Sequence, residues 1–87
     1  MNYRVVWDVI SYRELERIWS EVDNVRSYLN AFDEVESLLA VDAHERGESR
    51  PDGRRILIVS PLGVLFRAQS RLGETYVLDV WPISRRK

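Results

Sequence analysis

Arginines in the second half of the chain, in particular Arg55 and Arg67, are the side chains best suited to chemistry. A guanidinium group forms paired hydrogen bonds with carboxylate or phosphate more readily than an ammonium group does. Arg67 and Asp79 each fall within a strand-like run, where a charge is unusual unless that face is open or the charges pair. Two interpretations stand side by side. Either Arg55, Arg67 and Asp79 meet a partner on an open sheet face, or Arg67 and Asp79 form a cross-strand ion pair without chemical function, worth roughly 0.2–1 kcal/mol.

Other kinds of reactive site have little support in the sequence. The chain contains one histidine, His44, and no cysteine, so it offers neither a metal-ligand cluster nor a thiol nucleophile. The four glycines are scattered and match no nucleotide-binding motif. The carboxylate pairs Glu14/Glu16 and Glu34/Glu36 are two residues apart in helical segments, so the members of each pair do not face each other. We therefore predict no metal and no cofactor.

Length and charge narrow the class of protein. The chain has 87 residues, 45% of them hydrophobic, which suits one domain with a single core. Residues 1–43 hold four arginines and nine acids, whereas residues 44–87 hold eight arginines, one lysine and five acids. A basic half can face nucleic acid or an acidic peptide, or it can be a solvated sheet edge with internal ion pairs. With no membrane-spanning stretch and no signal peptide, a cytoplasmic protein that does not contact a membrane is expected.

The arginines need a sheet to position them, and the apolar pattern predicts one. Residues 3–8 are rich in β-branched and aromatic side chains and predict a first strand. Residues 54–81 contain three short apolar runs separated by two turn signals, which predicts an antiparallel meander. Residues 42–53, between these segments, are polar and contain glycine and proline breakers, so a long loop, mobile or functional, is expected there.

Two helices are predicted between the first strand and the loop. The pattern Ser11-x-x-Glu14 is typical of a capping box and predicts that the first helix begins at Ser11. Its apolar stripe comprises Leu15, Ile18, Trp19 and Val22. Either Asp23 or Asn24 can cap the second helix, which is predicted over residues 25–41. The short connection favours an antiparallel helical hairpin packed on the sheet.

The expected fold is α+β, in the order β-α-α-β-β-β, with the helical hairpin on one face of an antiparallel sheet. One domain is expected over residues 1–84, and residues 85–87 form a basic C-terminal tail. This order resembles the RelE/ParE family of small bacterial toxins from type II toxin–antitoxin pairs, and the similarity covers about residues 3–81. The matching positions are residues 3–7 for the opening strand, Leu15, Ile18, Phe32, Val35, Leu38 and Leu39 for the two core helices, and Gly53, Arg54, Arg55, Leu65, Phe66 and Arg67 for the basic residues and central hairpin.

The resemblance implies a cytoplasmic bacterial toxin, with a role in plasmid stabilization, that is neutralised by a cognate antitoxin. It implies action either on translation, by ribosome-dependent mRNA cleavage, or on DNA gyrase, by binding. In the ribosome-dependent members, positive groups bind the scissile phosphate while an acid or base assists attack by the 2′-hydroxyl. By this resemblance Arg54, Arg55 and Arg67 are the candidate catalytic residues, with Arg67 near a family position rather than at one.

The chain departs from the family pattern at two places. The family's arginine near the start of the third strand falls at Gly63 or Val64, and its late Tyr or His-Arg ending is replaced by Trp81-Pro82-Ile83. The usual catalytic set is therefore incomplete. The alternative is a non-toxic RelE/ParE-like interaction module, for example a homodimer that pairs through an exposed strand edge.

Overall fold

The computed structural model describes residues 1–83, and the predicted tail lies outside the described residues. The helices and strands are β1 (Arg4–Trp7), α1 (Val9–Glu21), α2 (Val25–Leu39), β2 (Glu48–Ser49), β3 (Arg54–Val59), β4 (Leu62–Gln69) and β5 (Glu74–Pro82). One-turn 3-10 helices cover Ala43–Glu45 and Pro51–Gly53. None of the helices described here is both long and apolar enough to cross a bilayer.

The strands form one sheet in the order β1-β5-β4-β3-β2. Strands β2 to β5 pair antiparallel, as predicted for β3 to β5, whereas β1 pairs with β5 in parallel. A parallel pair needs a long crossover connection, and the chain between β1 and β5 supplies one, because it contains both helices and three strands. The predicted α+β architecture is confirmed, and two details differ: β1 is parallel to its neighbour, and the predicted loop contributes the short strand β2.

The core lies between the sheet and the two helices. Its buried apolar residues are Tyr3, Leu15, Ile18, Ala31, Val35, Leu39, Ala43, Leu57, Leu62, Val64, Phe66, Val77 and Val80. Burying a Leu, Ile, Val or Phe side chain stabilises a fold by roughly 1.5–3 kcal/mol, so this layer holds the helices to the sheet. Both helices lie on the same side of the sheet. The other side, which we call the open face, is covered by no helix of residues 1–83.

Helix α1 begins earlier than the capping-box pattern predicts. The Asp8 carboxylate Oδ1 accepts a hydrogen bond from the Ser11 backbone N–H at 2.7 Å, so Asp8 is the N-cap. Ser11 lies in the first turn, is 1% exposed, and its hydroxyl donates to the Val77 carbonyl at 3.3 Å. The predicted start at Ser11 is therefore wrong, because this serine faces the sheet. Helix α2 is capped by Asn24, whose Oδ1 accepts from the Ser27 N–H at 3.3 Å.

Candidate functional site: an arginine row on the open face

Two arginines lie side by side on the open face. Arg54 of β3 is directly opposite Arg67 of β4, and Arg67 is directly opposite Tyr76 of β5. Side chains alternate between the faces of a strand, and the adjacent Phe66 is fully buried beneath the helices. Arg54, Arg67 and Tyr76 therefore share the uncovered side. We call these three residues the arginine row.

The turn at Pro51–Gly53, between β2 and β3, holds both guanidinium groups. The Arg54 Nε donates to the Pro51 carbonyl at 3.4 Å, and the Arg67 Nη1 donates to the Asp52 carbonyl. No carboxylate of residues 1–83 forms an ion pair with either arginine. Like charges that face each other across strands repel. An anion between them is therefore favoured, and phosphate is the anion that a guanidinium fork fits well.

Arg55 is not part of the row. It lies opposite Phe66, on the side that the helices cover. Its guanidinium donates to the backbone carbonyl of Arg46 at 2.6 Å and to that of Gly47 at 3.2 Å. The expectation that Arg55 shares the open face is therefore wrong, because one step along a strand reverses the face. Its contacts give Arg55 a structural role, in which it links β3 to the preceding loop.

The predicted ion pair between Arg67 and Asp79 does not form. Asp79 lies opposite Leu65, and the pairing of β4 with β5 shifts register after Leu65. The extra residue in β5 at this shift forms a β-bulge. The Asp79 Oδ1 instead accepts the backbone N–H of Val80 at 2.9 Å. Neither interpretation of the sequence is therefore correct in full. Arg67 and Asp79 are both on the open face, but they do not pair with each other. Arg55 does not lie on that face.

Glu74 and Arg4 extend the arginine row from Tyr76 toward β1. The Tyr76 hydroxyl donates to Glu74, and the Glu74 carboxylate also pairs with Arg4. The hydrogen bond from Tyr76, followed by that from Arg4, holds the pKa of Glu74 below its ordinary value. The bond to Glu74 in turn raises the pKa of the Tyr76 phenol. Sequence reasoning missed this group, although the spacing of two residues in one strand already placed Glu74 and Tyr76 on one face.

The far end of the open face is apolar. Trp81 lies opposite Gly63 and covers it so closely that a Cβ on Gly63 would lie 2.6 Å from the indole Cε2 and Nε1. Ile58, the partner of Gly63 on β3, is 53% exposed. The part of the chain that the structure describes encloses no pocket. The open face thus has a cationic end at Arg54 and Arg67 and an apolar end at Ile58 and Trp81.

The sequence matches no family model and no curated protein. Solved structures, however, are similar to it. The match to the toxin–antitoxin complex RelBE2 from Mycobacterium tuberculosis has a TM-score of 0.78 at 15% identity and covers 98% of this chain and 95% of that chain. The match to the chromosomal ParDE system from P. aeruginosa has a TM-score of 0.64 at 17% identity and covers 94% of this chain and 97% of that chain.

A third match is to the isolated RelE toxin of E. coli. It has a TM-score of 0.64 at 16% identity, and it covers 98% of this chain and 88% of that chain. All three alignments span most of both chains, so the likeness concerns the whole domain rather than a shared motif. Function is carried by sites rather than by folds, and sequence identities this low establish the architecture alone. The chain described here therefore has the RelE/ParE fold.

Proposed function

We propose that this protein is the toxin of a type II toxin–antitoxin pair, that a cognate antitoxin neutralises it, and that the arginine row binds its target. The single observation that carries the proposal is the direct opposition of Arg54 and Arg67 on a face that no helix of residues 1–83 covers. Similarity to a toxin–antitoxin complex over 98% of the chain supports it. Two adjacent guanidinium groups that pair with no carboxylate of residues 1–83 are costly to a fold, and a bound anion offsets that cost.

The first form of the proposal is ribosome-dependent cleavage of mRNA. When the 2′-hydroxyl loses its proton to water and attacks the neighbouring phosphorus, the crowded intermediate gains negative charge that positive groups stabilise before the bond to the 5′-oxygen breaks. Arg54 and Arg67 supply that stabilisation. Tyr76 lies in the same row, and its hydroxyl donates to Glu74, which raises the pKa of the phenol. To protonate the leaving 5′-oxygen, this hydroxyl exchanges its hydrogen bond to Glu74 for one to that oxygen.

The second form is a poison of DNA gyrase that binds without cleaving RNA. Two observations favour it: the similarity to the ParDE system, and the apolar end of the open face at Ile58 and Trp81. An apolar patch beside a cationic patch is a common feature of protein interfaces. This form also needs no arginine at Gly63 or Val64, where the nuclease members carry one.

Inducible expression in bacteria tests the proposal. Wild-type protein is compared with the Arg54→Ala/Arg67→Ala double variant and with Arg26→Ala, which removes an exposed charge from α2. We expect growth arrest with the wild type and with Arg26→Ala, and normal growth with the double variant. Cuts in ribosome-bound mRNA identify the first form, and loss of supercoiling without such cuts identifies the second.

The antitoxin is tested in the same strain. Co-expression of the product of a neighbouring small open reading frame is expected to restore growth. That product is also expected to co-purify with the protein. Harmless expression of the wild-type chain would contradict the toxin proposal and would favour the non-toxic interaction module instead.

A further inference from the structure

We propose that the Asp52–Gly53 turn is a positioning device for the arginine row. It fixes the guanidinium of Arg67 in the orientation in which the row binds a phosphate-class oxyanion. This inference shares its site with the proposed function. Anion binding is measurable on the purified protein, however, so the two proposals succeed or fail separately.

The backbone of the turn aims a carbonyl at Arg67. Asp52 has φ 67° and ψ 25°, and Gly53 has φ 75°, so two consecutive residues are left-handed. This pair of conformations is typical of the tight turn between antiparallel strands, and a hydrogen bond from Arg50 N–H to the Arg54 carbonyl at 2.7 Å closes it. Arg67 lies on β4, the strand next to β3, and its Nη1 reaches across to the Asp52 carbonyl.

Gly53 leaves the space that this contact occupies. A Cβ built on Gly53 would lie 3.2 Å from the Arg67 Nη1, and apart from its chain neighbours no other residue among 1–83 has an atom within 4 Å of it. The glycine therefore has two roles. It supplies the left-handed backbone, and it leaves room for the guanidinium to lie against the turn.

The contact restrains Arg67 without saturating it. A guanidinium carries five N–H donors, and only the Nη1 of Arg67 has a partner among residues 1–83. The remaining donors are available to an anion. A long side chain that is already held in place loses less conformational freedom when a ligand binds, which increases the affinity. The turn thus acts through Arg67 rather than by touching the ligand.

The test uses inorganic pyrophosphate as the probe and the side-chain 15N resonances of the arginines as the readout. Three proteins are compared: the wild type, Gly53→Asn, and Gly73→Asn as the matched control. Asparagine tolerates left-handed backbone better than other side chains do. Gly73 is left-handed like Gly53, with φ 63°, but the nearest atom to its added Cβ is the Asn2 carbonyl oxygen at 3.7 Å. The two variants therefore share the change at a left-handed backbone position, and only Gly53→Asn crowds Arg67.

We expect pyrophosphate to shift the Nε–H resonance of Arg67 in the wild type. We expect Gly53→Asn to weaken that binding about tenfold, comparable to the loss of one charged hydrogen bond, and Gly73→Asn to leave it unchanged. In the free wild type, the Nη groups of Arg67 should rotate more slowly than those of the exposed Arg26. This last measurement needs no variant and does not depend on whether Gly53→Asn folds.

Three results would overturn the inference. These are a wild type whose Arg67 does not respond to pyrophosphate, a folded Gly53→Asn that binds as the wild type does, and Arg67 Nη groups that rotate as freely as those of Arg26. A wild type that binds pyrophosphate in the expected way but does not arrest growth would support this inference and remove the proposed function.

Discussion

Arg54 and Arg67 face each other directly across β3 and β4, and each donates to a different carbonyl of the same turn. Their charges repel, so the pair lowers the stability of the fold. We expect Arg54→Ala and Arg67→Ala each to leave the free energy of unfolding within about 0.5 kcal/mol of the wild type, or to raise it, while both lose function. Urea unfolding measures the first quantity and growth arrest the second. A loss of several kcal/mol in either variant would make the pair structural instead.

Arg55 gives the opposite expectation, although it is adjacent to Arg54 in the sequence. Its guanidinium donates to two backbone carbonyls of the loop before β2, at Arg46 and Gly47. Removing one partly buried charged donor leaves those carbonyls without their partner, so we expect Arg55→Ala to lower the free energy of unfolding by about 1–2 kcal/mol. Urea unfolding beside Arg54→Ala, the matched control, measures the difference. Equal stability of the two variants would contradict the separation of faces.

The contact between Gly63 and Trp81 leads to a third prediction. Gly63 is not left-handed, so Gly63→Ala adds no backbone strain and the added Cβ acts only by displacing the indole ring 2.6 Å away. We expect a loss of about 1–3 kcal/mol of unfolding free energy, as overpacking usually causes. The tryptophan emission should also shift toward longer wavelength as the ring moves into water.

The control for this prediction is a double-mutant cycle. In a Trp81→Leu background the ring is gone, so the penalty of Gly63→Ala should shrink. A penalty of the same size in both backgrounds would place its cause in the backbone of β4 rather than in the tryptophan.

Glu74 couples the stability of the fold to pH. Its pKa lies below the ordinary glutamate value of 4.5 because Tyr76 and then Arg4 donate hydrogen bonds to its charged form. The stabilisation is therefore fully present above pH 4.5 and is lost as the pH falls through the lower pKa of the folded state. We expect Tyr76→Phe to move the pKa of Glu74 up toward 4.5 and to weaken this acid sensitivity.

The 13C shift of the Glu74 carboxyl group follows this titration directly. Urea unfolding at pH 7 and pH 3 follows its consequence for stability. An ordinary pKa for Glu74 in the wild type would show that the bond to Tyr76 does not form in solution. A Tyr76→Phe variant with the wild-type pKa would assign the effect to Arg4 alone.

The succession of elements could be predicted from the sequence because it depends on periodicity. Apolar residues at helical spacing identify α1 and α2, and alternating runs with turn signals identify the meander. The same alternation placed Arg67 correctly on the face opposite Phe66. Such patterns depend on neighbouring residues only, so they can be recognised without knowledge of the tertiary structure.

The composition of the site could not be predicted with the same accuracy. Arg54 and Arg55 are adjacent, and which of them faces the open side depends on the register with β4, which sequence alternation alone does not fix. The bulge after Leu65 likewise shifts the pairing of β4 with β5, so that Asp79 is not opposite Arg67, and no local sequence pattern predicts this shift. The carbonyls of the Pro51–Gly53 turn are backbone atoms, whose orientation depends on two left-handed residues rather than on side-chain type.

The start of α1 shows the same limit and provides the last prediction. Both Asp8 and Ser11 have the side chain of an N-cap, and only the burial of Ser11 against Val77 decides between them. We expect Asp8→Ala to cost about 1 kcal/mol, the usual value of a lost cap. The Ser11 amide N–H should then lose its protection against hydrogen exchange, because the Asp8 carboxylate is its acceptor. Ser11→Ala keeps that carboxylate, so the amide of residue 11 should stay protected. If Ser11→Ala instead exposed the amides of the first turn while Asp8→Ala did not, the helix would begin at Ser11 after all.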